Sequence, residues 1–162
     1  MARRGWGALA LASVLAAGAL TGCGGDEGVA AGATVRVYVE AALCPSAEQA
    51  LAAADGEAGD LEVQAVCLPP VEGAALGSRR VKLAIAGANA RRATQDSTSV
   101  AFLEPPGPAN RFTRPIVEEA GIAYVTDSSG KQAMRRVLSA IEESGSGSGS
   151  LREKVRSALE SE

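Results

Sequence analysis

The sequence contains no histidine, and this absence removes two large classes of functional site. Catalytic arrangements of serine or cysteine with histidine cannot form, and neither can histidine-ligated zinc sites. Aromatic residues make up only 3% of the chain. We therefore expect a modest core built mainly from Ala, Val, Leu and Ile, and none of the commonest hydrolytic or zinc chemistries.

The chain also lacks a run of basic residues. Its formal net charge is −3, and the pair Arg91-Arg92 is best interpreted as solvated helix surface. Binding to a phosphate backbone requires clustered Lys and Arg side chains. We therefore expect no nucleic-acid partner.

The longest apolar run lies at the amino terminus. Two arginines are followed by an apolar stretch over residues 6–20 and then by small residues directly before Cys23. This order is typical of a secretory signal peptide, here residues 1–22. The run is shorter than the roughly 20 residues that cross a bilayer, although residues 5–22 taken together leave an uncleaved anchor as the alternative. No further transmembrane segment is predicted.

The residues Leu20-Thr21-Gly22-Cys23 resemble the lipobox of bacterial lipoproteins, in which the signal peptidase cleaves before a cysteine whose sulfur carries diacylglycerol. An ordinary secretory signal followed by a stray cysteine is the alternative. Two or three acyl chains bury enough methylenes, at roughly 0.8 kcal/mol each, to hold a protein firmly on a bilayer. The resemblance therefore implies lipidation of Cys23 and a location on the extracytoplasmic face of the cell membrane, with the lipid bilayer as partner.

Cys44 and Cys67 remain when the lipidated cysteine is set aside. An exported protein can keep a disulfide. Closing a loop of about 24 residues would contribute roughly 3 kcal/mol by chain entropy, which would help a small Ala-rich domain. We predict a Cys44–Cys67 disulfide, with two unpaired buried thiols as the alternative.

Strand and helix signals alternate after a Gly- and Ala-rich tether, residues 23–33. Short β-branched or alternating apolar stretches predict four strands, at residues 35–39, 61–67, 99–103 and 122–125. Apolar positions at helical spacing predict four helices between and after them, at residues 45–54, 79–95, 109–120 and 131–143. Residues 144–150 read as a Gly/Ser linker before a last helix, residues 151–162.

Several residues predict where these helices begin and end. The expected amino-terminal caps are Ser46 with Gln49, Ser129 with Gln132, and Ser150 with Glu153. Gly121 is expected to cap the carboxyl end of the third helix. Pro115 should either kink that helix or start its second segment.

Strands that alternate with helices at short spacing favour βαβ units and a parallel sheet covered on both faces. Right-handed crossovers leave few topologies for four strands, and the order 2-1-3-4 is favoured. In that order Cys44 and Cys67 lie on the same edge of the sheet. This placement independently favours their disulfide.

The last helix carries Leu151, Val155 and Leu159 on one narrow apolar stripe. This pattern fits a helix that docks on its own domain, or a partly ordered tail. A helix that binds a partner protein is the alternative.

Ligands of open α/β sheets bind at the carboxyl ends of the strands, so three loops are candidates, at residues 42–46, 104–109 and 126–130. The third loop follows a strand and opens a helix, so backbone N–H groups and hydroxyls would converge on a carboxylate or phosphate there. Helix capping by Ser129 explains the same residues, and Asp127 would oppose an anion.

Glu104 and Asp127 could form a pair of carboxylates at this edge. No nucleophile motif, Gly-rich phosphate loop or metal-ligand spacing accompanies them. We therefore expect a protein that is not an enzyme and that uses no cofactor or metal.

Three segments occur in a recognisable order, namely residues 88–96 (ANARRATQD), 100–103 (VAFL) and 114–122 (RPIVEEAGI). Their order and spacing resemble the N-terminal lobe of type 1 periplasmic binding proteins, especially the branched-chain amino-acid substrate-binding family of ABC transporters. We assign residues 34–143 to this lobe. The resemblance implies a flavodoxin-like three-layer α/β sandwich with a parallel four-stranded sheet and, in this chain, a C-terminal helix.

The resemblance also implies a ligand site. In the family, the loops after the third and fourth strands contact a solute clamped between two lobes, which is then delivered to an ABC permease. These loops correspond by position to Pro106, Gly107 and Pro108, and to Thr126, Ser128 and Ser129.

Two departures from the family pattern affect this expectation. A Pro-rich stretch replaces the small hydroxyl residue after the third strand, and no residues correspond to the second lobe. A solute held by one lobe keeps about half its contacts at the full cost of association, so we expect weak binding.

Two functions are therefore expected from the sequence. The first is a membrane-anchored, solute-binding-protein-like lipoprotein that recognises amino acids or similar small solutes for ABC-type uptake, alone or by self-association. The second is a lipid-anchored protein-interaction module that has lost ligand binding.

Overall fold

In the computed structural model of the protein, residues 30–70, 79–145 and 149–161 are described. The predicted signal peptide, Cys23 and most of the predicted tether lie outside these ranges. Among the described residues, no helix combines the length and apolarity needed to cross a membrane.

Strands and helices alternate along the described part of the chain. In chain order they are β1 Thr34–Val39, α1 Cys44–Ala52, β2 Glu57–Ala58, β3 Leu61–Cys67, α2 Arg79–Thr94, β4 Ser99–Glu104, α3 Asn110–Glu119, β5 Ala123–Thr126, α4 Gly130–Ser144 and α5 Leu151–Glu160. The four predicted strands and five predicted helices are confirmed, with small shifts at their ends. The strand β2 was not predicted.

The five strands form one mixed sheet in the order β2-β3-β1-β4-β5. The pairs β1–β3, β1–β4 and β4–β5 are parallel, whereas β2 pairs with β3 in the antiparallel sense. The prediction of a parallel four-stranded sheet is therefore wrong. The relative order of the four predicted strands is nevertheless the expected 2-1-3-4.

The extra strand arises from a tight reversal after α1. Asp55 and Gly56 adopt positive φ angles of 54° and 77°, and Gly59 adopts 59°. These left-handed residues fold the chain back so that Glu57–Ala58 pair with the start of β3. A strand of two residues carries no periodicity, which is why the sequence pattern did not reveal it.

Helices cover both faces of the sheet. Because successive residues of a strand point to opposite sides, each strand contributes side chains to the packing on both faces. Val37, Val39 and Leu103 pack in one cluster with α1, α4 and α5. Tyr38 and Phe102 pack in a second cluster with α2 and α3. The arrangement is therefore a layered α/β domain with a largely aliphatic core.

Two of the predicted helix ends are confirmed. Ser129 caps α4, since its Oγ accepts from the Gln132 N–H over 3.3 Å. After α3, the Gly121 N–H donates to the Glu118 oxygen and the Ile122 N–H to the Val117 oxygen, with Gly121 at φ 73°. This is the Schellman arrangement that a glycine after a helix favours. Pro115 lies inside α3, which continues through it.

The cap predicted at Ser46 is wrong, because Ser46 lies inside α1. Ser150 does occupy the predicted N-cap position of α5, but its side chain accepts no hydrogen bond from that helix. Helix α1 begins at Cys44, ahead of Ser46. Pro45 fits the first turn, where its missing N–H costs nothing. The Ser46 hydroxyl instead donates back to the Leu43 carbonyl over 3.1 Å.

The sulfur atoms of Cys44 and Cys67 lie at bonding distance, and their Cα atoms are 5.7 Å apart. This Cα separation is typical of disulfides. Cys67 is the last residue of β3 and pairs in register with Val39 of β1, five residues before Cys44. The predicted pairing is therefore reproduced, for the predicted reason that the first two parallel strands are neighbours.

Helix α5 docks on its own domain, where it contacts α4, β4 and β5. Leu151 and Val155 are buried, and Leu159 packs against the same core cluster. The structure therefore supports the interpretation of this stripe as the face of a helix that docks on its own domain.

Candidate functional site

The growth of the sheet changes direction between β1 and β4. The chain passes from β1 to β3 on one side and then adds β4 on the other side of β1. Such a switch point leaves a crevice at the carboxyl ends of the two strands, where open α/β sheets bind their ligands. Here the crevice holds a cavity of about 440 Å³. This volume is within the usual range of small-molecule sites.

Three parts of the chain line this cavity. They are residues 40–42 after β1, residues 104–109 after β4, and Pro70, Lys82 and Leu83 from β3 to α2. Most of these side chains are apolar or small. Two carboxylates, Glu40 and Glu104, and the ammonium of Lys82 supply the charge.

Glu40 follows the last residue of β1 and is 4% exposed. Its N–H extends the sheet by donating to the Leu103 carbonyl over 2.9 Å. Its Oε1 accepts from Asn89 Nδ2 over 3.0 Å, and the same amide nitrogen donates to the Pro69 carbonyl over 3.0 Å. Asn89 of α2 therefore holds Glu40 Oε1, and the backbone N–H of Ala41 also donates to this carboxylate.

The surroundings of Glu40 change its acidity. Burial raises the pKa of Glu40 to about 7, the hydrogen bond from Asn89 opposes this, and the negative charge of Glu104 adds to it. A carboxyl group whose pKa lies near 7 is divided between its neutral and ionised forms at physiological pH. Buried groups with such pKa values are concentrated at functional sites.

Glu104 is the last residue of β4 and is 3% exposed. Its Oε2 accepts from the Tyr124 hydroxyl over 2.5 Å and from Thr113 Oγ1 over 2.5 Å. Burial, together with the hydrogen bond to Glu104, raises the pKa of Tyr124 to about 12, so this phenol stays neutral. Glu104 is thus held on β5 and α3 by two hydroxyl groups.

Asn110 holds the proline-rich loop that forms one wall. Its Nδ2 donates to the Pro105 carbonyl over 3.1 Å and to the Tyr124 hydroxyl over 2.7 Å, and its Oδ1 accepts from the Gly107 N–H. The loop is therefore tied to the same group of side chains that positions Glu104. Pro105, Pro106 and Pro108 present a rigid apolar surface.

The charged side chains of this cavity can bind an oppositely charged group and exchange protons. Among the described residues that line it, these side chains are Glu40, Glu104 and Lys82. Two buried carboxylates favour a cation or a proton between them, because two neighbouring negative charges in a low-dielectric site are costly.

Only some of the ligand residues predicted from the sequence line the cavity. Gly107, with Pro106 and Pro108, lines the cavity. Thr126, Ser128 and Ser129 are not among the lining residues, so contact between a ligand and these three side chains stays a prediction.

The loop after β5 is occupied by contacts within the protein. Asp127 Oδ1 accepts from the Ser129 N–H over 2.8 Å, and Ser129 caps α4. A side chain at Gly130 would overlap the Leu43 carbonyl, so the start of α4 lies directly against the start of α1. This packing leaves little of the α4 amino terminus open to an anion.

The predicted partner of Glu104 also differs. The Asp127 N–H donates to the Glu104 backbone oxygen over 3.3 Å, but the two carboxylates turn to different hydroxyl and N–H donors. Within the cavity the second carboxylate is Glu40. Sequence reasoning missed Glu40, although the predicted strand order already placed the residues that directly follow strands 1 and 3 at the switch point.

A second group of possible ligand side chains lies between α1 and the end of β3. Cys44, Glu48 and Cys67 bring their ligand-type atoms within 4.8 Å of one another, and no other such trio occurs in the described part of the chain. With the two sulfurs joined, this group offers no thiolate to a metal.

No protein-family model, curated protein or solved structure matches this chain. The assignment of a function therefore depends on its own residues and geometry.

Proposed function

We propose that this protein is a membrane-anchored, solute-binding lipoprotein whose binding site is the cavity between Glu40 and Glu104. The observation that carries the proposal is the position of this cavity at the switch point of the sheet, with two buried carboxylates on its walls. A core built only for stability would avoid an ionisable group such as Glu40, because burying its charge costs free energy. The cost is accounted for if a ligand uses the carboxylate.

The fold that we propose is flavodoxin-like, resembling one lobe of type 1 periplasmic binding proteins. The 2-1-3-4 order of the four parallel strands and the helices on both faces support it. The antiparallel β2 is an addition at the edge, far from the switch point. The function implied by that family, recognition of a small solute for ABC-type uptake, belongs to this proposal.

The lipid anchor at Cys23 is the second part of the proposal, and the lipobox-like residues 20–23 support it. An anchored lobe works at a high local concentration near membrane partners such as a permease or a second copy of itself. Such a concentration offsets the weak binding that one lobe alone should have.

Calorimetry on the full chain in detergent tests solute binding. Neutral, acidic and basic amino acids, amines and sugars are titrated up to millimolar concentration. Because Ala42 is exposed at the cavity wall, Ala42→Phe should fill the cavity and abolish the heat that the native chain shows. Ala53→Phe, at an exposed position beyond α1, is the matched control and should bind normally. A folded protein that binds none of these solutes would overturn this function in favour of an interaction module.

Labelling of cells with radioactive palmitate tests the anchor. The native chain should be labelled and should remain with the membrane fraction, whereas Cys23→Ser should be unlabelled and released. Continued membrane attachment of the unlabelled variant would replace lipidation with an uncleaved amino-terminal anchor.

A further inference from the structure

Side-chain donors hold one oxygen of each of the two cavity carboxylates. Glu40 Oε1 is held by Asn89, and Glu104 Oε2 is held by Tyr124 and Thr113. Within the described ranges no side chain donates to Glu40 Oε2 or Glu104 Oε1, although the Ala41 N–H also donates to the Glu40 carboxylate. Both side chains are more than nine-tenths buried, and both line the cavity. The site therefore offers two acceptors that an incoming donor could satisfy.

A metal ion fits these acceptors poorly. Calcium and magnesium take six or more oxygen ligands. Around this cavity, the described residues provide no third carboxylate, thiol or imidazole within ligand distance of the pair. An anion is also a poor ligand, because both carboxylates would repel it.

A neutral polar solute such as a sugar fits no better. It would need several hydrogen-bonding groups along the walls. Those walls are instead made by alanine, leucine and proline side chains. The combination of a charged end and an apolar wall points to an ammonium group that carries an apolar substituent.

Lys82 sets the number of charges that the ligand should carry. Its ammonium lines the same cavity and forms no ion pair with either carboxylate. With both glutamates ionised, the three side chains together carry one net negative charge. A single positive charge on the ligand therefore neutralises the site, whereas a diamine would leave an excess positive charge.

We propose that Glu40 and Glu104 form the recognition site for the ammonium group of a small primary monoamine, whose apolar part lies against Pro105, Pro106 and Pro108. This inference rests on the proposed solute-binding function and names the chemical class of the solute. The ammonium donates to Glu40 Oε2 and Glu104 Oε1, which converts a costly buried pair into charge-assisted hydrogen bonds.

Binding of this kind is coupled to protonation. Since the pKa of Glu40 is about 7, part of the unliganded protein carries a neutral Glu40 at neutral pH. The charged groups on the surrounding elements are Glu104 on β4 and Lys82 on α2, while Tyr124 on β5 stays neutral. An ammonium favours the ionised carboxylate, so binding releases a proton and the affinity rises between pH 6 and pH 8.

The test uses calorimetry of the full chain in detergent with n-butylamine, 1-butanol, butyrate and 1,4-diaminobutane as probes. At pH 8, butylamine should bind about 10- to 100-fold more tightly than butanol, because of its charged hydrogen bonds. It should also bind more tightly than the diamine. Repeating the titration at pH 7 in buffers of different ionisation enthalpy should show release of about half a proton per amine bound.

Two variants locate the effect, and one serves as control. Glu40→Gln and Glu104→Gln keep the size of the side chain and should each lose most of the preference for the amine over the alcohol. Proton release should disappear in Glu40→Gln. Glu57→Gln, on the exposed edge strand β2, should behave as the native chain.

The outcomes separate this inference from the function on which it rests. Equal affinity for amine, alcohol and butyrate, or an amine preference that survives both substitutions, would overturn the ammonium site while leaving solute binding in place. Binding of amino acids or sugars without binding of butylamine would do the same. The absence of heat with every solute, in a chain that circular dichroism shows to be folded, would overturn both.

Discussion

The guanidinium of Arg152 donates from Nε to the Ser99 carbonyl oxygen over 2.7 Å, which joins the last helix to the beginning of β4. The same group donates to the carbonyls of Asp96 at 2.5 Å and Ala120 at 3.5 Å. Three backbone oxygens from two separate turns are thus satisfied by one side chain. A planar fork of donors is suited to this task in a way that a lysine is not.

Arg152→Ala should therefore destabilise the domain by about 2 to 3 kcal/mol, because the carbonyls lose a charged donor in a partly buried setting. Arg152→Lys should recover only part of the loss, since one ammonium cannot reach all three oxygens. Urea unfolding followed by circular dichroism measures both. Arg135→Ala, on the exposed side of α4, is the control. Equal unfolding midpoints for Arg152→Ala and the control would show that the hydrogen bonds of Arg152 add nothing to the stability of the domain.

Gly130 should not tolerate a side chain. A Cβ atom there would overlap the backbone oxygen of Leu43 and come within 2.6 Å of Ser46 Oγ. Backbone atoms cannot move aside cheaply, so Gly130→Ala should cost about 1 to 3 kcal/mol in unfolding free energy. At Gly145 the nearest atoms to a Cβ would be 3.6 Å away, so Gly145→Ala should be close to neutral. Thermal unfolding of the two variants side by side provides the comparison, and a tolerant Gly130 would mean that α1 and α4 are further apart.

Glu40 should make the stability of the unliganded protein depend on pH. Its pKa is about 7 in the folded protein and near the ordinary 4.5 in the unfolded chain, so the folded state holds a proton that the unfolded state has lost. The stability that this proton provides is complete below about pH 4.5 and is lost as the pH rises to about 7.

The replacement Glu40→Gln should remove this dependence. We expect the variant to match the native chain near pH 4 and to exceed it by the order of 2 kcal/mol at pH 8. Unfolding free energies from pH 4 to pH 8 give the measurement, with Glu57→Gln as control. A constant difference between variant and native chain across this range would contradict the raised pKa.

Asp96 should give the stability of the protein the opposite pH dependence, with stability lost as the pH falls into the acid range. Burial alone would raise the pKa of Asp96, but hydrogen bonds from Thr98, Arg36 and Tyr38 outweigh it and hold this pKa well below its usual range. The carboxylate accepts from Tyr38 at 2.8 Å, from Arg36 at 3.0 Å and from Thr98 Oγ1 at 2.6 Å. A lowered pKa provides stability that is present above the ordinary pKa of about 4 and is lost as the pH falls below it.

Asp96→Asn should consequently lose about 1 to 3 kcal/mol at pH 7, because the amide nitrogen would face two donors. The difference from the native chain should narrow as the pH falls from 5 to 2. Acid titration of both proteins by circular dichroism shows this directly, and Asp60→Asn, at an exposed position, should titrate as the native chain does. If the native chain and Asp96→Asn showed parallel acid transitions, Asp96 would not be the source of the stability that is lost at acid pH.

Much of the architecture follows from local pattern. The alternating Val35, Val37 and Val39 define a strand without any knowledge of its neighbours, and Met134 with Ile141 defines a helix face. The cap at Gly121 is also predictable from the sequence, because a glycine directly after a helix commonly adopts the left-handed conformation that ends it. These features depend on residues that are close in sequence.

The features that the sequence did not reveal depend on distant residues. Glu40 becomes buried only when β4 pairs with β1 and Asn89 reaches across from α2. Arg152 finds its carbonyl partners more than thirty residues away along the chain. Ser46 was predicted as a cap because the pattern around it was suitable, yet Pro45 lets the helix begin earlier. The carboxylate pair could have been anticipated only by combining the strand order with the residues that directly follow each strand.

The disulfide has a consequence for the affinity of the proposed solute site. Cys44 follows Ala41 and Ala42 of the cavity wall, and Cys67 precedes Pro70 of another part of the wall by three residues. A covalent link so close to both segments narrows the range of widths that the cavity samples in solution. A ligand then has less wall motion to arrest, so less of its interaction free energy is spent on ordering the site. At the proposed extracytoplasmic location, the oxidising surroundings that keep the two sulfurs joined would thus affect the binding strength of the proposed site as well as the stability of the domain.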